Sequence, residues 1–220
     1  MSPITADEAT AEERQLSERS QRKREDILGA ATDLFLENGY AATSMDEVAA
    51  AAKVSKQTVY KNFRNKESLF REMALSTVTT VGEPFQALVA DVESGDDLAV
   101  ALRALARRYM RAVMQPELLK RRQLIVREAG RFPDVARAYH EAAPRETVRH
   151  LAASFGRLAK KGSLSLTDPE TAATHFAFLI LGEPLDTVMF QGTEGLPTAA
   201  MLERMADAAT DAFLAAYGSR

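Results

Sequence analysis

The chain has 220 residues, no cysteine, a net charge of -3 and 46% hydrophobic residues, with only 11 Gly and 8 Pro. This composition excludes a disulfide scaffold, a thiolate metal site and a cysteine nucleophile, and it is too rich in core-forming residues for a disordered chain. The length suffices for one large domain or for a small module on a larger one, and a cysteine-free chain fits a reducing compartment, so the cytoplasm is the expected location.

Residues 1–18, within "MSPITADEATAEERQLSERS", carry acids and hydroxyls but no apolar core. They read as a mobile arm and not as a signal peptide. Helical periodicity begins with Ile27, Ala31, Leu34 and Phe35 and breaks at Asn38-Gly39. Ser44-Met45-Asp46-Glu47 then has the form of a capping box, which starts a short helix ending near Ala52. Ser55 offers the next N-cap, for a helix to about Asn62, and Asn65 offers a third.

Two short helices joined by about three residues form a helix-turn-helix, whose second helix enters the DNA major groove. At 100 degrees per residue Val59 and Phe63 point inward with Val54, while Gln57 and Lys61 point outward, flanked by Thr58, Tyr60 and Arg64. Lys56 and Lys66 sit at helix N-termini, where the macrodipole disfavours a cation by about 0.3 to 1 kcal/mol and a bound phosphate reverses that sign. From Arg19 to Lys66 there are nine Lys or Arg against six Asp or Glu, so a basic module stands on an acidic body.

The stretch "REDILGAATDLFLENGYAATSMDEVAAAAKVSKQTVYKNFRNKESLF" resembles the N-terminal domain of the TetR/AcrR family of bacterial transcriptional regulators. The resemblance implies that Lys56, Gln57, Thr58, Lys61 and Asn62 face the groove and that Ser44, Tyr60 and Lys66 hold phosphates. It also implies backbone or minor-groove contacts from Arg22 and Arg24. One departure stands in the turn, where many members have Gly and this chain has Lys53; positive φ there would strain it by about 1 kcal/mol or more.

Beyond the module, breaks at Gly82-Glu83-Pro84, Ser94-Gly95, Pro116, Phe132-Pro133, Lys161-Gly162 and Gly192 to Pro197 divide an otherwise helical chain, giving about nine helices in all. The expected organisation is all-α: an arm (1–18), a three-helix DNA-binding domain (19–66), and a larger helical effector-binding and dimerisation domain (67–220). "RRQLIVREAGRFPDVARAYHEAAPRETVRHLAASFGRLAKKGSLSLTDPETAATHFAFLILG" is similar to the C-terminal domain of an AefR-like subgroup, which implies a helical, homodimeric effector domain. Tyr109, Met110, Met114, Phe132, Phe155, Phe176 and Phe178 are candidates either for an effector pocket or for ordinary core, and His175 for a ligand contact or a satisfied core histidine. Gly182-Glu183-Pro184 is expected to bend its helix, and Lys120-Arg121-Arg122 reads as a solvated face. The last two predicted helices, about 168 to 190 and 197 to 217, offer apolar surface for a four-helix dimer interface or for internal packing.

No G-x-S-x-G, P-loop or G-x-G-x-x-G occurs, and His140, His150 and His175 lack metal-site spacing, so neither an enzyme, a cofactor nor a metal is expected. No apolar run is long enough to span a bilayer. The expected function is a dimeric regulator, usually a repressor, that reads a palindromic operator in double-stranded DNA and is released by a small-molecule effector. The alternative is an architectural DNA-binding protein, or a regulator with no such effector.

Overall fold

The structure is a computed structural model that describes residues 6–76, 89, 92–93 and 97–219. The chain divides into two compact units, Met1–Ala74 and Leu75–Arg220. The division falls inside the helix that begins at Lys66, beyond the boundary after residue 66 drawn from sequence.

In the first unit α1 spans Ala6–Ala42, so the backbone of residues 6–18 is helical where an arm was expected. Its regular part ends at Gly39, whose φ of 79° opens the helix as the Asn-Gly pair predicts. Thr43, fully buried, ties the break shut by donating to the carbonyls of Gly39 at 2.9 Å and Leu34 at 3.1 Å. Then follow α2 (Met45–Ala51), α3 (Lys56–Asn62) and α4, whose described part is 66–76. Each short helix is too brief to be stable alone, so packing carries them. Ile27, Ala31 and Phe35 of α1, Val48 of α2, Val59 of α3 and Leu69 and Met73 of α4 are all fully buried. Phe35, Tyr40 and Phe70 close one end of this core, with Tyr40 and Phe70 edge to face at 5.1 Å.

Lys53 has φ 53° and is the one non-glycine residue with positive φ among those described. Its amide donates to the Ala50 carbonyl and the Val54 amide to that of Ala49, which closes the C-terminus of α2 and sets the turn into α3. The turn therefore forms with lysine in the positive-φ conformation. Lys53→Gly should stabilise the unit by up to about 1 kcal/mol, seen as slower amide hydrogen exchange across residues 45–62; unchanged or faster exchange would show that no strain is stored there.

The second unit contains α5 (Leu98–Val113), α6 (Pro116–Arg127), α7 (Pro133–His140), α8 (Glu146–Lys160), α9 (Pro169–Gln191) and α10 (Ala199–Tyr217). Pro116, Pro133 and Pro169 occupy first-turn positions, where a missing N–H costs nothing. Between α7 and α8 the chain never leaves helical conformation: Glu141–Arg145 is a single π-helical turn containing Pro144. Sequence reading gave no sign of it. α9 runs without interruption through Gly182 and Pro184, so the expected bend does not break the helix. The Gly82 to Pro84 and Ser94-Gly95 breaks lie outside the described residues.

The core of this unit is built on Phe155 of α8, Phe176 of α9 and Phe213 of α10, whose ring centroids lie 5.0 to 5.4 Å apart. α10 also packs antiparallel on α5, and three ion pairs at four-residue intervals mark the register: Arg103–Asp211 at 2.6 Å, Arg107–Asp207 at 2.6 Å and Arg111–Glu203 at 3.0 Å. The Arg107 guanidinium grips both oxygens of Asp207 and holds that carboxyl below its ordinary pKa. Each pair is exposed enough to stabilise only weakly, but a register slip would break all three together. Among the described residues no helix is long and apolar enough to cross a membrane.

Candidate functional site

Within the first unit, α3 is presented by its two ends and one buried face. The Ser55 hydroxyl accepts from the Thr58 amide at 3.1 Å and fixes the N-terminus, while Val59 and Phe63 anchor the inner side. Lys56, Gln57, Tyr60 and Lys61 are consequently exposed, and Thr58 and Asn62 half-buried, as the helical periodicity requires. Tyr60, 45% exposed, holds a large part of its ring in water. Such a face presents amide, ammonium and hydroxyl groups to base edges and phosphates.

The capping box at Ser44 is complete: the Ser44 amide donates to Glu47 at 2.7 Å and the Ser44 hydroxyl accepts from the Glu47 amide at 3.2 Å. These bonds from Ser44 hold the Glu47 carboxyl below its ordinary pKa. Lys56 reaches back to Asp46 at 2.7 Å across the turn. Both partners are well exposed, so the pair is weak and the lysine is readily redirected to a phosphate.

Two predicted contacts are employed elsewhere. The Lys66 ammonium donates to the carbonyls of Thr43 at 2.8 Å, Tyr40 at 2.9 Å and Ala41 at 3.3 Å, and lies 4.5 Å from the centre of the Tyr40 ring. All three of its protons are thus turned to the C-terminal end of α1, where the dipole welcomes a cation. Arg24 likewise donates to the Asn62 carbonyl at 2.6 Å, pairs with Glu72 and covers the Phe63 ring at 4.3 Å. It closes the end of α3 instead of reaching outward, whereas Arg22 is exposed.

The second unit holds a cavity of about 310 Å³ between α5, α6, α7, the π turn, α8 and α9. Only Tyr109 and Phe178 of the candidate ligand residues line it. Met110, Met114, Phe155 and Phe176 are buried in the core, because they sit on the helix faces turned to neighbouring helices, and Phe132 caps α7 outside the cavity. His175 lies apart, its Nδ1 2.6 Å from the Tyr217 hydroxyl. The lining that sequence reading missed includes Arg122, Tyr139, Pro144 and Thr147. Arg122 in particular belongs to the run Lys120-Arg121-Arg122, which by its sequence reads as a solvated face. Burial raises the pKa of both cavity phenols, Tyr109 and Tyr139, against the opposing charge of Arg122. Thr147 beside the Tyr109 hydroxyl and Arg122 beside that of Tyr139 oppose the rise.

Among the described residues no cluster of acids or histidines is placed to hold a metal ion. Residues 27–73 match the family of bacterial regulatory proteins of the tetR type, and residues 100–219 match the AefR-like transcriptional repressor C-terminal domain. A solved structure from Mesorhizobium loti, described as a TetR-family transcriptional regulator, is 40% identical over 91% of this chain and 98% of that one, with a TM-score of 0.84. The flavonoid-responsive regulator FrrA is 33% identical over 91% of this chain and 99% of its own, with a TM-score of 0.70. The HTH-type transcriptional regulator YdeS of Bacillus subtilis (strain 168) is 44% identical over 61 residues, 28% of this chain. That match spans 31% of the length of YdeS. With both its reading module and its larger unit matched, this chain belongs to the TetR family of bacterial transcriptional regulators, with an AefR-like C-terminal domain.

Proposed function

We propose that two copies of this chain bind a palindromic operator through α3, and that a small molecule entering the cavity of the second unit releases them. The observation that carries the DNA reading is the outward face of α3, where Gln57, Tyr60 and Lys61 stand exposed over a buried Val59–Phe63 anchor. Gln57, Lys61, Thr58 and Asn62 read base edges, and Ser44, Lys56, Tyr60 and Arg22 hold the backbone. Lys66 and Arg24 support the frame. The action is repression in the cytoplasm and involves no turnover of the effector.

One short helix contacts too few bases for useful specificity, which favours a two-fold dimer with half-sites about 34 to 36 Å apart. α9 supplies the surface: Phe178, Leu179 and Phe190 are 70%, 47% and 85% exposed, an uncommon concentration of large apolar groups in water. Release needs little energy. A ligand that favours the DNA-incompetent state by about 2.7 kcal/mol weakens operator binding a hundredfold. The responsiveness of FrrA to flavonoids, stated in its name, supports an effector for this chain as well.

Selection of bound sequences from random duplex DNA, at a fixed near-physiological salt, tests the reading. The expected result is a palindrome, and Gln57→Ala or Lys61→Ala should relax one position of each half-site by about 1 to 3 kcal/mol of discrimination. Salt-sensitive binding with no recovered motif would instead support the architectural alternative.

A further inference from the structure

Among the described residues Arg122 is the one basic side chain in the wall of the cavity, and it forms no ion pair with any of them. Its neighbour Lys120 behaves as sequence reading expected, pairing loosely with Glu117 at 3.6 Å on the surface. Arg122 instead is half-buried, beside the Tyr139 hydroxyl. A guanidinium has five donors in a planar fork, and one phenol uses few of them. Removing such a charge from water without an anion is costly, and a carboxylate meets the fork with two parallel bonds.

Much of the remaining wall is apolar, from Val113, Leu118, Leu181, Leu185 and Met189, with Tyr109 and Thr147 adding hydroxyls. Its volume of about 310 Å³ is at the small end for ligand sites, enough for a compact one- or two-ring body. The π turn at Glu141–Arg145 forms part of the same wall through Ala143 and Pro144, and such turns recur at functional sites. Asp186 also borders the cavity, but it is exposed and its charge is screened by water, whereas the half-buried Arg122 acts through a less polar medium.

We infer that the cavity takes a compact apolar carboxylate, its anionic group held by the Arg122 guanidinium beside Tyr139 and its hydrocarbon body packed on Leu181, Leu185 and Met189. This rests on the effector reading of the cavity given above and adds the chemical class of the effector. Cationic and neutral compounds of the same shape are discriminated against, because they leave the guanidinium desolvated and unpaired.

The test is calorimetric titration of the full chain with benzoate, 4-isopropylbenzoate and 2-naphthoate, each compared with its carboxamide and its aminomethyl counterpart. At least one acid should bind about tenfold or more tightly than its amide, with the amine weakest. Arg122→Gln should abolish that preference and Arg122→Lys retain part of it. Amides binding as tightly as acids, a preference that survives Arg122→Gln, or no binding of any acid at millimolar concentration would each overturn the inference. Should Arg122→Gln not fold, as judged by its melting transition, the acid-to-amide ratio of the unmodified chain decides alone. Operator binding measured alongside separates the two readings. Acids that bind through Arg122 without loosening DNA leave this inference standing and defeat effector release, while release by other molecules with no acid bound defeats only this inference.

Discussion

Lys66→Met is expected to destabilise the first unit by about 2 kcal/mol, read as faster amide exchange across residues 40–50 and a lower urea midpoint for that region. The ammonium is held by three carbonyls, those of Tyr40, Ala41 and Thr43, at 2.8 to 3.3 Å. Replacement leaves these acceptors at the negative end of α1 without their cation, and water recovers only part of the loss. Lys66→Arg should rescue incompletely, since a flat fork cannot turn three donors onto three converging carbonyls. The same variant decides between the cap and the phosphate role implied by family resemblance. A cap leaves the salt dependence of DNA binding unchanged, whereas loss of a phosphate contact reduces the slope of log affinity against log salt by about 0.9. Unaltered stability with a reduced slope would return Lys66 to the DNA backbone.

A still larger effect is expected from Leu179→Glu combined with Phe190→Glu on α9. Each substitution places a carboxylate on the apolar stripe proposed for the dimer, and each charge would face its own copy across the two-fold axis. Sedimentation should show a monomer at micromolar concentration, and operator affinity should fall by about a hundredfold or more, because the second reading helix is no longer delivered at high effective concentration. Both side chains are already exposed in the single chain, so its internal core is untouched and its helicity should persist. A dimer that survives the double change would move the interface to another face. Retained operator affinity in a true monomer would remove the palindrome from the mechanism.

The N-terminal module was legible because its signals are local. Ser44 and Glu47 cap one another three residues apart, Ser55 caps α3 in the same way, and the facing of Val59 against Gln57 and Lys61 follows from the pitch of a helix. The left-handed turn at Lys53 was anticipated from the family resemblance and not from helical pitch, since many members have Gly at that position. The cavity was not legible. Six of the eight candidate ligand residues lie outside its lining, because helical periodicity says that a residue is buried without saying whether it meets another helix or an open space.

The sequence by itself determined the all-helical class, the capped reading helix with its outward face, and the division into a basic module and an acidic body. Tertiary structure alone decided where the long charged side chains end. Lys66 turns to the close of α1, Arg24 to the close of α3, and Arg122 into a cavity of the second unit. The physical reason is reach: local sequence fixes the direction of a Cα–Cβ bond, but a lysine or arginine head lies several rotatable bonds further out. Its resting place is chosen by whichever carbonyl, phenol or carboxylate the fold brings within that range, from parts of the chain far away in sequence.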